Sequence, residues 1–416
     1  MEAFSFDESW AVVRALLPDN LEEAARQTGF VKRLRGFDNA ELILRLLLMH
    51  GGGLSLEQAA ARAAEQGLAK VSAVTLFNRL QQSEAFLGLL AKHVLSGLQQ
   101  RLGAGRWPQG LKYRAVDATE VTEPGATGSH WRVHYSLRLP DLACDHFEVT
   151  DYRQGETFKR WSFTPDEVIL ADRAYSHREA IAGLLEGGTR FVVRLNTGVF
   201  ALENAHGRRR NLLKLVKPLK VGQAAEWDLW FSWAKRRYPV RLCAVRKSAA
   251  AAARSQAKAR RRAQQERVHL QERTLEFAQF VLVLTSLEAT AWKAAAVLEL
   301  YRCRWQVELA FKRLKSLLQI GHLPKKDPAG ARAWMQMKLL LALLVERLLF
   351  DAEFIFPWGY ALQSDEPLEG LPGGERLAAD GAPLTPLFAS NLSTAPEPAI
   401  TGPRLSAQAT AANAGV

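Results

Sequence analysis

The stretch Tyr301-Arg-Cys-Arg-Trp-Gln-Val-Glu-Leu-Ala-Phe-Lys-Arg-Leu-Lys315 carries more chemical information than any other part of the chain. Nothing in it breaks a helix, and apolar side chains recur at helical spacing, at Leu300, Val307, Phe311, Leu314 and Leu318. Because each residue advances by about 100°, four polar side chains fall within an arc of roughly 60° beside that stripe. These are Tyr301, Arg304, Glu308 and Lys315. The sequence therefore predicts one helix with a carboxylate flanked by two cations and a phenol.

This helical edge has the chemistry of a metal-bound phosphodiester site. A glutamate can hold a divalent cation, while arginine, lysine and tyrosine can hold phosphate oxygens. The alternative is an amphipathic surface helix in which Arg304 and Glu308 form an ordinary ion pair at spacing i,i+4. The stretch by itself does not decide between the two.

Two further segments each place an aspartate in or just after an apolar run. The segment Leu111–Thr122 is predicted to be a strand, with Asp117 at the end of its apolar portion. In Asp166–His177, the apolar run Val168–Ala171 leads directly to Asp172. An aspartate in such a position is costly to bury alone, so it is solvated, paired with a cation or bound to a metal. Aspartates also commonly end strands and begin turns, so each segment alone leaves these alternatives open.

The three segments together resemble the DDE transposases of the bacterial insertion-sequence-four family. The resemblance extends from about residue 30 to about residue 350 and rests on Asp117, on Asp172-Arg173-Ala-Tyr175 and on the signature Tyr301-x2-Arg304-x3-Glu308-x6-Lys315. It implies an α/β fold with an RNase H-like mixed-sheet catalytic core. That core would be interrupted by a β-rich insertion and preceded by an N-terminal helical domain.

The resemblance also implies a role for each matching residue. Asp117, Asp172 and Glu308 match the catalytic triad, whose carboxylates hold two divalent cations per site. The cation is normally Mg2+, which Mn2+ can replace. Tyr301, Arg304 and Lys315 match the residues that bind DNA near the cut strand.

The function that follows from the resemblance is that of a DNA transposase of a bacterial insertion sequence. Such an enzyme cleaves the transposon ends and joins their 3′-hydroxyl groups to target DNA. The expected partners are double-stranded DNA, as terminal inverted repeats and as target, and a second copy of the chain in a homodimer on DNA. Three alternatives remain open: an RNase H-fold nuclease that cuts without joining, an inactive DNA-binding protein derived from a transposase, and an unrelated basic globular protein.

Composition agrees with this function. The chain has 416 residues and a formal net charge of +12, which favours a polyanionic partner. Its cysteines, Cys144, Cys243 and Cys303, are too few and too scattered for a disulfide framework. The first residues lack the pattern of an export signal, and the longest apolar run, Leu339–Val345, is too short to cross a membrane. We therefore expect a cytoplasmic, nucleoid-associated protein without membrane contact.

Residues 1–108 are predicted to form an N-terminal helical domain that binds DNA. One helix is predicted after an N-cap at Ser55, and a second is predicted to begin after Ser72. The second helix should leave Asn78 and Arg79 free to point elsewhere, because its apolar face would contain Val74, Leu76, Phe77 and Leu80. Such a pair can be a helix-turn-helix that enters the major groove, or a plain packing unit.

Residues 109–198 and 279–350 are predicted to form the RNase H-like core. After the strand of Asp117, two segments alternate with period two, Trp131–Leu139 and Cys144–Thr150. Three antiparallel strands should therefore precede the strand of Asp172. A helix over Arg178–Leu185, a strand over Arg190–Leu195 and a closing helix over Arg332–Phe350 should follow.

Residues 199–278 are predicted to be the insertion, and its second half is strongly basic, including Arg260, Arg261 and Arg262. We interpret these arginines as an arm that follows DNA phosphates; the alternative is an ordinary solvated helix. Arg173, next to Asp172, would neutralise the scissile phosphate or pair with a nearby acid.

Two further features depend on the family comparison or on composition. In relatives, an aromatic residue on the strand before the signature helix stacks on a flipped base. The candidate here is Phe280, with Trp292 and the cluster Trp227–Trp233 as alternatives. Residues 358–416 are rich in Pro, Gly, Ala, Ser and Thr, and they are predicted to be a disordered tail.

Overall fold

The computed structural model describes residues 6–34, 36–101, 110–125, 129–139, 142–321, 323 and 327–353. The helices are α1 (Phe6–Arg14), α2 (Leu21–Gln27), α3 (Ala40–Gly51), α4 (Leu56–Glu65), α5 (Ala73–Gln81), α6 (Glu84–Arg101), α7 (Arg178–Glu186), α8 (Leu212–Val216), α9 (Ala249–Gln265), α10 (Glu272–Phe277), α11 (Ala294–Cys303), α12 (Trp305–Leu317) and α13 (Pro328–Glu353). The strands are β1 (Lys112–Thr122), β2 (Ser129–Leu139), β3 (Cys144–Asp151), β4 (Glu167–Ala171), β5 (Arg190–Arg194), β6 (Ala224–Trp233), β7 (Arg236–Arg246) and β8 (Phe280–Thr285). Two short 3-10 helices span Phe158–Arg160 and Arg173–Tyr175.

Two of the predictions concern membrane contact and the C-terminal tail. None of the helices in the described ranges combines the length and the apolar character that crossing a membrane requires. The tail predicted to be disordered, residues 358–416, lies outside the described residues.

The strands of the described chain form one mixed sheet in the order β3-β2-β1-β4-β5-β8-β7-β6. Strands β1, β2 and β3 are antiparallel neighbours, while β4 runs parallel to β1 and β5 runs parallel to β4. Strand β8 runs antiparallel to β5, and β7 and β6 continue the antiparallel pattern. The mixed α/β class is therefore confirmed, and so are the three antiparallel strands before the strand that leads to Asp172.

Apolar side chains cover both faces of the central strands. On one face, Val116 and Ala171 lie in a buried cluster that includes residues of α7 and α8. On the other face, α12 packs against β1 and β2, and the ring of Phe311 lies 5.8 Å from that of Tyr135 between centroids. Because successive strand residues point to opposite faces, the aspartates that follow Val116 and Ala171 point towards the face covered by α12.

Helix α13, the predicted closing helix, joins the N-terminal helices to the rest of the fold. It packs against α3, α5 and α6, and Asp327 at its start accepts a hydrogen bond from Gln81 Nε2 at 3.0 Å. The approach to α3 is close: a Cβ on Gly51 would lie 2.6 Å from Leu341 Cδ1, so a larger residue would push the two helices apart. The assignment of residues 1–108 to a separate DNA-binding domain stays a prediction.

Helices α4 and α5 are the predicted helix pair. Ser55 caps α4 in a capping box, and Ser72 caps α5. Two details of α5 differ from the prediction. Val74 is 67% exposed because it lies about half a turn away from the buried Leu76. Arg79 is buried, and its guanidinium donates to backbone carbonyls of the loop before α3, so it is not free to point towards DNA.

The segment 199–278 contributes strands to the same sheet as the core. Strands β6 and β7 form a hairpin, and β7 pairs with β8 along its length. The basic part of the segment is the helix α9, whose N-cap Ser248 accepts a hydrogen bond from Ala251 N at 3.3 Å. Because β6 and β7 extend the core sheet, the separation of this segment as its own domain stays a prediction.

A buried ion network supports the edge of the sheet. The guanidinium of Arg114 on β1 lies 2.9 Å from a carboxylate oxygen of Asp145 and 3.0 Å from one of Glu167. All three side chains are about nine-tenths removed from solvent. The charges satisfy one another, so removing the arginine would leave two buried carboxylates without their cation.

A second buried carboxylate connects α13 to the sheet. Glu346 accepts a hydrogen bond from the Tyr135 hydroxyl at 3.3 Å and from the Cys144 amide at 3.2 Å. Burial raises the pKa of Glu346. The contact joins α13 to β2 and β3, on the same side of the molecule as α12.

Candidate active site

Asp117 and Asp172 lie side by side on neighbouring parallel strands. Val116 on β1 pairs with Ala171 on β4, so the aspartates are the next residues on strands about 4.8 Å apart. Asp117 lies inside β1, directly after the buried residues 113–116, and β1 continues beyond it to Thr122, as the sequence predicts. Asp172 follows β4 and caps a short 3-10 helix by accepting from Ala174 N at 2.6 Å. Strand pairing thus brings together two acids that are far apart in the chain.

The predicted single helix over the signature is instead two helices, α11 and α12, which meet at Arg304. The backbone bonds tighten there: the Arg304 amide donates to Tyr301 O, and the Val307 amide donates to Arg304 O, both at 3.1 Å. A short 3-10 stretch inside a helix often marks a functional position. The prediction of one continuous helix is therefore wrong at this residue, because the Arg304 side chain is held by contacts with β1 that the local sequence pattern does not contain.

Arg304 connects two of the three predicted catalytic acids. Its Nη1 donates to Asp117 Oδ2 at 3.1 Å, and its Nη2 donates to Glu308 Oε1. Its guanidinium also lies over the ring of Tyr301, 5.7 Å from the centroid. The surface-helix alternative contained the Arg304–Glu308 pair but no partner for it from another element. The bridge to Asp117 shows that this edge of α12 faces the sheet and its acids.

The charges of the three acids act on one another. Burial raises the pKa of Asp117 from 3.8 to about 7, against the opposing effect of Arg304, and the charges of Asp172 and Glu308 raise it further. The side chain of Asp117 is only 14% exposed. Asp117 therefore lies close enough to Asp172 and Glu308 to be affected by their charges, in a partly buried space where burial favours its protonated form.

The donor set suits a hard divalent cation in its chemistry. Mg2+ prefers carboxylate oxygens and waters, and a cation at Asp117 would favour the charged form that burial disfavours. In the part of the chain that the structure describes, no three acidic, histidine or cysteine side chains are gathered closely enough to hold an ion. Arg304 instead pairs with Asp117 and Glu308, and its guanidinium donates to one oxygen of each carboxylate.

Known proteins identify the family. Residues 148–344 match the transposase DDE domain. The putative transposase InsL of insertion sequence element IS186A from Escherichia coli strain K12 is 33% identical over 348 residues, which are 82% of this chain and 93% of that protein. The transposase of insertion sequence element IS421 from Escherichia coli is 33% identical over 349 residues, with the same coverage of both chains. The chain belongs to the DDE transposases of insertion sequences. It is therefore an enzyme of transposition.

A solved structure shows a more distant likeness. The piggyBac transposase in a synaptic complex with hairpin DNA aligns with 83% of this chain and 76% of its own, at a TM-score of 0.45 and 9% identity. In the transposase described here, the DDE-domain match includes Asp172 and Glu308, and Asp117 precedes it. The spaced Tyr-Arg-Glu-Lys signature and the role of each residue in it stay predictions.

The remaining signature residues lie around the acids. Lys315 lines an open cleft together with Asp117 and Glu308. Tyr301 is buried at the end of α11, only 8% exposed, with its ring against Arg304. The structure thus brings Tyr301, Arg304 and Lys315 to the acids, although Arg304 binds carboxylates in this state.

The predicted DNA-binding arginines lie at two places, beside Asp172 and on α9. Arg173 is exposed beside Asp172, and partial burial together with Arg194 and Arg262 lowers its pKa. Arg262 on α9 therefore lies near the acids, while its Nε also pairs with Glu266 at 2.7 Å. Arg260 and Arg261 are exposed on the same helix. The helix α9 brings at least one member of the basic segment to the edge of the active site.

Sequence reasoning missed Arg194 near this edge, whereas Lys247 belongs to the basic segment interpreted as the arm that follows DNA phosphates. Arg194 ends β5, next to the strand of Asp172, and it contributes to the lowered pKa of both Arg173 and Lys247. Burial is the main reason that the pKa of Lys247 falls from 10.5 to about 8. A signal was available for Arg194, because it follows the apolar run Phe191–Val193 as Asp172 follows its own run.

The aromatic residues proposed to stack on a flipped base are mostly in the core. Phe280 is 4% exposed and Trp292 is 6% exposed. Neither ring has a free face in this structure. Trp233 is 37% exposed, so the hairpin of β6 and β7 contains the accessible ring among those considered.

Proposed function

We propose that the transposase cuts the ends of its insertion sequence and joins them to target DNA in a single active site formed by Asp117, Asp172 and Glu308. The observation that supports this most directly is the bridge from Arg304 to Asp117 and Glu308, beside the strand pairing of Asp117 with Asp172. Three acids from separate parts of the chain share one space. Two of them, Asp117 and Glu308, line an open cleft, as access for DNA requires.

The acids would hold divalent cations, two Mg2+ per site, which Mn2+ can replace. When bound, the cations activate the attacking water or 3′-hydroxyl group and stabilise the leaving oxygen. Asp117, Asp172 and Glu308 would supply the ligand oxygens, and a bound cation would hold Asp117 in the charged form that burial disfavours.

Arg304 has two tasks in this proposal. Without cations, its guanidinium neutralises Asp117 and Glu308 and keeps their side chains in place. When divalent cations neutralise Asp117 and Glu308 in its place, the guanidinium is free to bind a phosphate oxygen of the cut strand. Lys315, which lines the cleft, binds the same strand, and Tyr301, whose ring lies under the guanidinium of Arg304, contributes beside it.

Contacts farther along the DNA come from basic residues around the site. Arg173 neutralises a phosphate next to Asp172, and Arg260, Arg261 and Arg262 on the exposed side of α9 follow the backbone. Exposed arginines without buried partners suit this role, because phosphate contacts depend on charge and not on base sequence. The N-terminal helices bind the terminal inverted repeat.

The proposal extends to the core fold, the transposase family, the oligomeric state and the location of the enzyme. The strand order β3-β2-β1-β4-β5 with β2 antiparallel supports an RNase H-like core, and the complete signature supports membership of the insertion-sequence-four family. Because an insertion sequence has two ends and each must be cut and joined, the active form is a homodimer on DNA. The enzyme acts in the cytoplasm, on the nucleoid.

The proposal can be tested with the inverted repeats that flank the gene. Wild-type protein with Mg2+ should nick a duplex that carries the repeat and should join a pre-cleaved end to a target plasmid. Glu308→Gln should abolish both reactions while its unfolding midpoint stays close to that of the wild type. Glu299→Gln is the matched control, because Glu299 is exposed on α11 and pairs only with Arg302 nearby, at 2.8 Å.

Each alternative has its own outcome. Nicking without joining would indicate a nuclease of this fold. Binding of the repeats without any Mg2+- or Mn2+-dependent nicking would indicate an inactive DNA-binding descendant. If Glu308→Gln and Glu299→Gln were equally active, the assignment of Glu308 would be wrong.

A further inference from the structure

One side of the helix α5 is exposed to solvent along its whole length. Val74, Asn78 and the C-cap residue Gln82 fall within an arc of roughly 80°, and all three are exposed. Leu76 and Leu80, on the opposite side, are buried, and α5 contacts α3, α4 and α13. Asn78 lies at the centre of the exposed side, and its amide forms no hydrogen bond with any residue that the structure describes.

The loop before α3 lies along one flank of this exposed side. The buried guanidinium of Arg79 donates to two consecutive carbonyls of that loop, those of Arg33 and Leu34, at 2.7 Å for Leu34. The same loop approaches the turn before α5, since a Cβ on Gly36 would lie 3.7 Å from Val71 Cγ1. These contacts fix the loop beside the N-terminal half of α5.

The side chains that this loop and the turn present to solvent are basic. Lys32 and Arg33 are exposed, and so is Lys70 in the turn before α5. Within the described ranges, none of the three forms an ion pair. Neither the segment 28–37 nor the segment 66–82 contains an acidic residue. Positive charge therefore flanks the exposed side of α5, and it complements a polyanion.

This arrangement fits the major groove of duplex DNA. The groove is about 12 Å wide and admits a helix, whose diameter with side chains is about 10–12 Å. The amide of Asn78 can donate to adenine N7 and accept from the adenine N6 amino group, while the methyl groups of Val74 can contact a thymine methyl group. Cations beside the helix bind phosphates, which fixes its position without reading the sequence.

We propose that α5 lies in the major groove of the terminal inverted repeat, where Asn78 recognises an adenine and Val74 contacts a thymine methyl group. Lys32 and Arg33 bind phosphates at the edge of the groove. Arg79 stays buried and touches no base. This inference rests on the proposed function, because it assumes that the transposase recognises the repeat of its own insertion sequence.

DNA binding by the full-length protein without divalent cations tests this apart from any cleavage. Fluorescence anisotropy gives the Kd for a duplex of the terminal repeat and for a scrambled duplex of the same composition. Asn78→Ala should weaken binding to the repeat by about ten-fold and leave binding to the scrambled duplex unchanged. Asn20→Ala is the matched control, because Asn20 is also exposed and makes no capping hydrogen bond at α2; it should bind both duplexes as the wild type does.

A base analogue locates the contact. Replacing the adenines of the repeat one at a time with 7-deazaadenine removes the N7 acceptor. Wild-type affinity should fall at a position where Asn78→Ala does not respond. The double variant Lys32→Ala, Arg33→Ala should instead weaken binding to both duplexes equally and reduce the slope of log affinity against log salt concentration by up to about 1.8. If Asn78→Ala responded as the wild type does at every adenine, recognition of a base by Asn78 would be refuted.

The outcomes separate this inference from the function on which it rests. If the wild type nicks and joins repeat ends while Asn78→Ala keeps its full preference for the repeat, the proposed function stands and the role of α5 is refuted. If the preference depends on Asn78 but no Mg2+-dependent nicking occurs, the catalytic proposal fails and this inference holds. Equal wild-type affinity for the repeat and the scrambled duplex would refute the inference. An equal loss on both duplexes in Asn78→Ala, or a lowered melting temperature that accounts for the loss, would refute it as well.

Discussion

Replacing Asp117 with asparagine should stabilise the metal-free transposase at neutral and alkaline pH, although it removes a predicted catalytic acid. The side chain keeps its shape and can still accept from Arg304, whose Nη1 lies 3.1 Å from Asp117 Oδ2. What it loses is a negative charge that burial and the charges of Asp172 and Glu308 oppose. The expectation is therefore that a site built to hold cations destabilises the fold when they are absent.

The magnitude follows from the pKa of Asp117, which rises from 3.8 to about 7 in the folded state. The folded state holds the proton more tightly than the unfolded chain, so stability is complete below about pH 4 and is lost as the pH rises through about 7. A shift of about three units corresponds to about 4 kcal/mol at pH 8. Arg304 loses a charged acceptor and keeps a neutral one, which offsets about 1–2 kcal/mol. The net gain should be about 2 kcal/mol at pH 8, and it should vanish near pH 4.

Urea unfolding of wild type and Asp117→Asn at pH 4.5 and pH 8, with and without Mg2+, measures this difference. Without Mg2+, the variant should gain stability over the wild type only at the higher pH. With Mg2+ the advantage should shrink, because a ligand that binds only the folded state stabilises the wild type.

The matched control is Asp166→Asn. The hydroxyl of Thr164 and then Lys112 lower the pKa of Asp166, so its neutralisation should cost a little stability at pH 8. The reasoning would be refuted if Asp117→Asn were less stable than the wild type at pH 8, or if its effect were the same at both pH values.

Three other predictions concern the fold and DNA binding. Arg114→Met should destabilise the protein by about 3–5 kcal/mol, because it leaves two buried carboxylates unpaired. A loss below about 1 kcal/mol in urea unfolding would contradict this. A variant that also neutralises Asp145 and Glu167 should recover part of the lost stability. Glu346→Ala should cost about 2–4 kcal/mol, since it leaves the Tyr135 hydroxyl and the Cys144 amide without their acceptor, whereas Glu346→Gln should cost much less by the same measurement. Replacing Arg260, Arg261 and Arg262 together with alanine should leave the melting temperature unchanged. The slope of log DNA affinity against log salt concentration should fall by up to about 2.7. The exposed triple Arg208, Arg209 and Arg210 is the control, and an equal loss of slope in both triple variants would indicate a general charge effect.

The composition of the active site could be predicted from local patterns together with the family resemblance. The runs before Asp117 and Asp172 are apolar and β-branched, so their strands were expected with boundaries close to those of β1 and β4. The antiparallel strands β2 and β3 and the helix α7 were also expected, because period-two alternation and turn residues identify them. These signals depend only on residues that are neighbours in the chain.

Other features had no local signal. The break at Arg304 was missed, because the helical periodicity of Leu300, Val307 and Phe311 continues through it. Burial of Arg79 was missed because its acceptors are carbonyls of a distant loop.

By itself the sequence determined which chemistry the protein has: three acids, their cationic neighbours, and enough apolar periodicity to form the strands and helices that carry them. Only the tertiary structure decided which of these groups meet. The pairing of β1 with β4 sets two aspartates side by side, and the packing of α12 on that sheet lets Arg304 bind Asp117. Contacts of this kind depend on distances through space, and those distances are set by how whole elements pack.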